Sequence, residues 1–204
     1  MFWHDAGVPT HVVLLRGVNN LGSKKVAMAD LRQVAASLGH SDVTTYIQSG
    51  NLLLTPRSAS ATQAAGGANA AELAAELERA IADRTGVQAR ALVLSREELA
   101  GCVRDNPCPD EANPRLLHAV FLPQAGGPDL AAWVADAERQ ARAKGSRDSA
   151  RVLGRTVYLH TPDGYPPSEL RRMLARAGGP TSASLGGTAR NWATVSKLAE
   201  LCGP

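Results

Sequence analysis

The segment VTTYIQSGNLLLT, at positions 43–55, decides the fold class of this chain. Its two ends, Val43–Ile47 and Asn51–Thr55, consist largely of β-branched, aromatic and aliphatic residues, which favour β-strands. Between them, Gln48-Ser49-Gly50 is typical of a tight turn that joins antiparallel strands. The segment therefore predicts a β-hairpin, and the elements on either side of it indicate the rest of the fold.

On each side of this hairpin the sequence predicts one helix and one strand. Before it, a short apolar run at 11–16 predicts a buried strand, and apolar residues recur at helical spacing from Met28 to Leu38. After it, a second helical pattern lies between Asn69 and Gly86, and a strand is predicted at 89–94. The resulting order, β-α-β-β-α-β, is the ferredoxin-like order.

The second half of the chain predicts the same order and a terminal helix. No sequence identity is visible between the halves, so this duplication rests on element order alone. The predicted fold class is α+β, with two ferredoxin-like halves, antiparallel sheets and a C-terminal helix. The predicted elements are a strand at 116–122, a helix around Trp133, strands at 150–153 and 156–160, a helix around Met173, a strand at 181–185 and a helix capped by Thr188.

A proline-rich stretch from Asn106 to Pro114 separates the halves. We therefore expect an N-terminal tail at 1–10, a first half at 11–106, a linker at 107–115, and a second half with its terminal helix at 116–204.

Composition favours a soluble cytoplasmic protein. Hydrophobic residues make up 44% of the chain and charged residues 20%, as in ordinary globular domains. No apolar run approaches the roughly 20 residues that a membrane-spanning helix needs, and residues 1–5 do not resemble a signal peptide. The net charge of +3 favours anionic partners slightly and does not require nucleic acid.

Cysteine and histidine spacing indicates neither a disulfide framework nor a metal site. The 3 cysteines are irregularly placed, and Cys102 and Cys108 fit no common zinc spacing. The 5 histidines lack the spacing of zinc ligands, and His118 and His160 are interpreted as core residues of strands. We expect reduced thiols, no metal and no cofactor.

Six short motifs distributed along the chain carry a resemblance to a known family. They are Arg16–Asn19, Lys25–Arg32, Thr45–Asn51, Asn106-Pro107, His118–Leu122 and Thr188–Val195. Together they resemble the bacterial family called domain of unknown function 1697. The resemblance runs from about residue 11 to residue 201 and implies an α+β fold with ferredoxin-like halves, but no established activity. The chain departs from the family pattern at Ala27, where proline is usual, and at Cys108, where phenylalanine is usual.

The first candidate site is the loop after the first strand, Arg16–Lys25, with Arg16, Asn19 and Lys24 as its candidate residues. Its glycines allow backbone N–H groups to turn toward an anion, and its lysines add positive charge. The loop is not a P-loop, because Ser23 precedes Lys24 where a P-loop has lysine before the hydroxyl residue. The alternative interpretation is a solvated connection between strand and helix.

The hairpin turn offers a second group of polar side chains, Gln48, Ser49 and Asn51. Their amides and hydroxyl suit a polar ligand, and they suit equally well the hydrogen-bonding needs of the hairpin backbone. The sequence leaves both interpretations open.

The third group is Arg190-Asn191-Trp192. If Thr188 caps the last helix, Arg190 and Asn191 fall in its first turn, where an arginine opposes the helix dipole. A carboxylate, a cluster of carbonyls or an anionic ligand would offset that cost. Arg190 is therefore either a structural clamp or a ligand contact, and Trp192 is either a core residue or a stacking platform.

The preferred hypothesis is a small anionic or nucleotide-like ligand bound in a cleft between the halves. Nucleic-acid binding through the sheet faces is an alternative, although the first and third strands, at 12–15 and 52–54, are aliphatic and lack the aromatic residues that stack bases. A protein-interaction or oligomerisation module without catalysis is another alternative. We expect the protein to be a monomer or a homodimer. The sequence does not decide whether a reaction is catalysed. The predicted ligand-binding residues are Arg16, Asn19, Lys24, Gln48, Ser49, Asn51, Arg190, Asn191 and Trp192.

Overall fold

The structure is a computed structural model that describes residues 7–19, 25–57, 67–176, 179–180 and 185–203. Within these residues the order β-α-β-β-α-β occurs twice, and each copy is followed by one further helix. The elements are β1 (His11–Arg16), α1 (Met28–Ser37), β2 (Ser41–Tyr46), β3 (Asn51–Thr55), α2 (Gly67–Thr85), β4 (Arg90–Ser95), α3 (Arg96–Arg104), β5 (Leu117–Phe121), α4 (Pro128–Ala143), β6 (Ser149–Leu153), β7 (Thr156–His160), α5 (Glu169–Leu174), β8 (Thr188–Asn191) and α6 (Trp192–Leu201).

The described residues divide into two compact units. The first runs as far as Ala100 and also includes the chain from Leu198 onward, and the second comprises Gly101–Lys197. Helices α3 and α6 therefore each contribute residues to both units. The linker expected at 107–115 belongs to the second unit.

The first unit has an antiparallel sheet in the order β2-β3-β1-β4. On the central strand β1, Val13 lies opposite Leu52 of β3 and Val93 of β4, and all three side chains face α1 and α2. The buried core on this face consists of Val13, Leu15, Val18, Val26, Leu31, Val34, Ala35, Leu52, Leu54, Leu73, Leu77, Ile81, Val87, Ala89 and Val93.

The hairpin between β2 and β3 forms as predicted, with Ile47–Gly50 as its turn. Ile47 has φ 46° and Gly50 has φ 73°, the left-handed conformation in which glycine is unstrained. A Cβ on Gly50 would lie 2.8 Å from both Leu15 Cβ and Val18 Cγ2. Glycine is required here because the turn packs directly against the end of β1.

The second unit repeats this architecture with a sheet in the order β6-β7-β5-β8. The structure thus confirms the predicted α+β fold with two antiparallel, ferredoxin-like halves and a C-terminal helix. Helices α4 and α5 cover one face. The core there consists of Val120, Leu122, Val134, Ala137, Ala141, Ala150, Val157, Leu159, Leu170, Met173 and Leu174.

The last strand was predicted in the wrong place. Strand β8 comprises Thr188–Asn191, where Phe121 of β5 lies opposite Thr188 and Ala119 opposite Arg190. The predicted strand at 181–185 has four of its residues, 181–184, outside the described part of the chain. The polar sequence TARN is extended because it pairs with β5, an interaction that local propensity does not reveal.

The sheet faces opposite the helices are buried as well. Val12 and Leu14 of β1 are fully buried, as is Ala119 of β5, and Tyr158 of β7 retains 2% of its surface. The central strands are therefore covered on both faces. Among the described helices, none has the length and apolar character needed to cross a bilayer.

Candidate functional site

Asn19, in the first predicted loop, and Val26, just after it, are joined by hydrogen bonds of the Asn19 side chain. Asn19 has φ 56°, and its side-chain amide donates to Val26 O at 2.9 Å and accepts from Val26 N–H at 2.9 Å. The two hydrogen bonds resemble a backbone pair and fix both ends of the loop. Asn19 therefore has a structural role in this unit, whereas Lys24 lies outside the described residues.

The hairpin turn lies beside this loop. Leu15 N–H donates to Gly50 O at 2.8 Å, so the end of β1 and the turn lie together at one end of the first sheet. The side chain of Asn51 is fully buried, and its Nδ2 donates to Tyr46 O and to Ser49 Oγ, each at 3.1 Å. Asn51 thus supports the turn from within.

The structure therefore brings four of the predicted residues to one end of the first sheet. Arg16 is the last residue of β1, and Ser49 and Asn51 belong to the adjoining hairpin, with Asn19 in the neighbouring loop. The side chain of Gln48, in the same turn, is exposed.

This end of the sheet carries positive charge. Arg16 lies directly opposite Arg90 of β4 in the antiparallel register, a like-charge pair that is unfavourable unless it is screened or neutralised. Arg90 forms an ion pair with Glu78 at 3.2 Å, and Lys25 is exposed. Positive groups therefore outnumber the one carboxylate named here, and the amides of Asn19 and Asn51 hold the backbone.

Arg190 lies on the edge strand β8, and the prediction that it occupies the first turn of the last helix is wrong. Two hydrogen bonds of its Nη1 go to Thr188 Oγ1 and Ala189 O, each at 2.9 Å. Burial lowers the pKa of Arg190 to about 10, which still leaves the guanidinium charged at neutral pH. These contacts orient a partly buried cation without an opposing helix dipole.

Asn191, not Thr188, caps α6. Its Oδ1 accepts from Thr194 N–H at 2.9 Å, which satisfies one of the free donors in the first helical turn. Asn191 is thus a capping residue and lies opposite His118 in the strand register.

Trp192 begins α6 and is partly buried. Its backbone N–H donates to Pro114 O at 3.2 Å, and its ring lies 6.1 Å from that of Tyr158, tilted by 50°. Tyr158 in turn donates its hydroxyl to Cys102 O at 2.9 Å. The tilted pair is the usual arrangement of packed aromatic residues, which favours the core interpretation of Trp192.

A stacked group around His118 was not identified from the sequence. The His118 ring stacks on Tyr165 with centroids 3.7 Å apart, and the guanidinium of Arg171 lies 5.3 Å from the Tyr165 centroid. His118 Nδ1 is buried and has no hydrogen-bond partner among the described residues. Burial lowers the pKa of His118 to about 4, so the ring is neutral at physiological pH.

Cys108 lies in a turn fixed by Asn106, whose Oδ1 accepts from Cys108 N–H at 2.9 Å. Glu111 in the same turn pairs with His160 Nε2 at 2.7 Å. Burial raises the pKa of the Cys108 thiol, so it is protonated at neutral pH and poorly suited to nucleophilic attack. All three cysteines are free thiols, and no group of three potential ligands among the described residues suits a metal ion.

Comparison with known proteins supports the family resemblance. The model of the family described as "Protein of unknown function (DUF1697)" matches residues 8–158, which confirms the resemblance over that range. The range ends before β8 and α6, so the resemblance at Thr188–Val195 stays a prediction. No curated protein matches the chain significantly.

A solved structure described as that of the conserved bacterial protein SP0830 from Streptococcus pneumoniae is also similar. The similarity covers 96% of this chain and 99% of that chain, with a TM-score of 0.63 and 22% sequence identity. At this identity, the likeness shows a shared fold.

Proposed function

The chain belongs to the DUF1697 family of proteins of unknown function, and from that premise we propose that it binds a small anionic or nucleotide-like ligand. Arg190 is the main cationic contact in this proposal. The observation that carries it is a charged guanidinium that is partly buried on an edge strand and oriented by Thr188 and Ala189.

The physical support is preorganisation. A cation in a partly desolvated environment attracts an anion more strongly than the same group in bulk water does. A side chain that is already oriented also loses less conformational entropy on binding. Both effects favour a guanidinium at a fixed position, which suits phosphate and carboxylate oxygens.

The first unit has its own group of candidate ligand-binding residues. Arg16, the last residue of β1, supplies positive charge, and Gln48 offers an exposed amide in the hairpin turn. Lys24 adds a second positive charge to this group in the sequence and lies outside the described residues. Asn19, Ser49 and Asn51 position the loop and the turn through the hydrogen bonds described above. In the second unit, Asn191 and Trp192 position Arg190 by fixing the junction between β8 and α6.

The other hypotheses receive less support. Base stacking on a sheet needs an exposed face with aromatic residues, whereas the central strands of the first sheet are aliphatic and the aromatic residues of those of the second, Phe121 and Tyr158, are buried. The exposed large hydrophobic residues of the described chain, Val8, Ile47, Leu153 and Leu185, lie far apart in the sequence. We place the protein in the cytoplasm, because its three thiols are free. We further propose that it is a monomer or a homodimer.

A thermal-shift screen tests the proposed function. The screen uses nucleotides, sugar phosphates, carboxylates and short RNA against the native chain, Arg190→Ala and Arg139→Ala. Arg139 is a matched control, because its side chain is 70% exposed and forms an ion pair with Asp136, which is also exposed. A ligand at about a hundred times its Kd adds about 2.7 kcal/mol, which raises Tm by several degrees.

We expect an anionic compound to raise the Tm of the native chain and of Arg139→Ala, but not that of Arg190→Ala. Circular dichroism of each unliganded variant establishes that it is folded. A screen without any shift, or an equal shift in Arg190→Ala, contradicts the proposal and leaves Arg190 as a structural clamp. A shift by RNA that weakens steeply with salt would favour the nucleic-acid hypothesis.

A further inference from the structure

A cavity of about 250 Å³ lies beside the beginning of α5 in the second unit. Its lining is strongly polar and includes both signs of charge. The lining residues that matter here are Lys144, Ser146, Asp148, Ser168, Glu169 and Arg172.

Asp148 is the unusual member of this lining, because it retains only 3% of its surface. Its Oδ2 accepts the Ser168 hydroxyl at 2.8 Å and the Leu170 N–H at 3.3 Å. Its Oδ1 forms no hydrogen bond with any described residue, and this oxygen atom is not completely enclosed by the protein. One oxygen of a buried carboxylate therefore remains available at the cavity.

The other charges of the cavity have partners. Glu169 pairs with Lys144 at 2.7 Å and with Arg172, and these hydrogen bonds, that from Lys144 foremost, lower the pKa of Glu169 to about 2. No lysine or arginine of the described residues forms an ion pair with Asp148. A buried carboxylate without a cation is costly unless a ligand or further hydrogen bonds compensate it.

We propose that this cavity binds a small organic cation through a primary ammonium group that donates to Asp148 Oδ1. Ser146 lines the same cavity, and its Oγ, which accepts the Asp148 backbone N–H at 3.2 Å, has a second lone pair for an ammonium proton. A guanidinium fits less well, because its planar fork prefers both carboxylate oxygens and Oδ2 already accepts two hydrogen bonds. This site is independent of Arg190, since it selects the opposite charge.

Amide chemical shifts of the full-length ¹⁵N-labelled chain test this site. The probes are n-butylammonium, tetramethylammonium, guanidinium and neutral n-butanol. We expect n-butylammonium to give saturable shifts at Asp148 and Leu170, with affinity at least about tenfold above that of tetramethylammonium, which has no N–H donor. Absent saturation, or equal binding of these two cations, overturns the proposal and leaves Asp148 as a cap of α5.

Two variants add a second comparison. Asp148→Asn keeps an oxygen acceptor for Ser168 and Leu170 but loses the charge, and we expect it to lose n-butylammonium binding. Asp163→Asn is the matched control, because Asp163 also lines the cavity but is 55% exposed and pairs with Arg147. Native-like binding by Asp148→Asn overturns the proposal. If Asp148→Asn does not fold, the comparison of cations on the native chain still decides.

Discussion

The β-hairpins of the two units occupy the same place in the fold but have different surroundings. In each, a turn carbonyl accepts an N–H from the end of the neighbouring central strand: Leu15 N–H donates to Gly50 O, and Leu122 N–H donates to Arg155 O, both at 2.8 Å. The first turn packs tightly at Gly50, whereas a Cβ on Gly154 would meet nothing within 4 Å. A shared topology therefore does not impose shared steric requirements.

The largest predicted loss of stability comes from replacing the glycine of the first turn, and the same substitution in the second turn should cost much less. Gly50→Ala places a Cβ at φ 73° and 2.8 Å from two side chains, so strain and overpacking together should cost about 3–5 kcal/mol. Gly154→Ala has φ 57° and open space, and should cost about 1 kcal/mol. Urea unfolding of both variants measures the difference, and equal losses would contradict it.

The units also differ in their buried histidines, which makes stability depend on pH. His118 is neutral in the folded chain because burial lowers its pKa to about 4, whereas the unfolded chain protonates it near its ordinary value of 6.5. Between these values the unfolded state binds more protons, so stability falls as pH falls. This difference in pKa corresponds to a loss of roughly 3 kcal/mol in unfolding free energy as the pH falls from 6.5 to 4.

His118→Phe tests this contribution, because phenylalanine keeps the stack on Tyr165 but cannot be protonated. We expect its unfolding free energy to vary less with pH than that of the native chain, measured by urea unfolding at several pH values. A smaller slope should remain from His11 and His40 of the first unit, whose pKa values burial also lowers. A pH profile parallel to that of the native chain would rule out His118 as the source.

Two asparagine substitutions compare the stability contributed by hydrogen bonds in a buried turn with that contributed by a helix cap. Asn51→Ala removes two hydrogen bonds that the fully buried Asn51 side chain donates, to Tyr46 O and to Ser49 Oγ, which should cost about 2–3 kcal/mol. Asn191→Ala removes the cap of α6 and should cost about 1 kcal/mol. Thermal unfolding measures both. Asn191→Ser, which retains a capping oxygen, should remain within a few tenths of a kcal/mol of the native chain.

Much of the fold could be predicted from local sequence. The bounds of β1, β3 and β7 match the predicted strands at 11–16, 51–55 and 156–160, because each is a short apolar run between turn residues. The spacing of Ser95 and Glu98 is that of a capping box at the start of α3, and in the structure each backbone N–H is bonded to the other side chain. Strand β8 was missed because its polar residues become extended only by pairing with β5.

The candidate sites were harder to predict, because their chemistry depends on distant contacts. The sequence shows that Asn19 and Asn51 are polar loop residues, but not that their amides are used to hold backbone groups. The stack of His118 on Tyr165 and the isolation of Asp148 from cations both depend on how α5 packs against its sheet. No periodicity or spacing in the sequence records these distances.

Edge strands give the final comparison between the units. Glu78 on α2 accepts the N–H of Ala91 in edge strand β4 at 2.8 Å, and Glu138 on α4 accepts the N–H of Ala150 in edge strand β6 at 3.1 Å. Each helix thus satisfies a donor that an edge strand would otherwise present to other chains. The second contact is the more enclosed, since Ala150 retains 5% of its surface and Ala91 is half-buried.

Removing each glutamate should therefore have unequal effects. Glu138→Ala leaves the buried Ala150 N–H without an acceptor and should cost about 2 kcal/mol, whereas water can replace the acceptor in Glu78→Ala, which should cost about 1 kcal/mol or less. Glutamine at either position keeps the acceptor and should recover most of the loss. Amide hydrogen exchange at Ala150 and Ala91 measures this directly, and equal acceleration in both alanine variants would contradict the difference in burial.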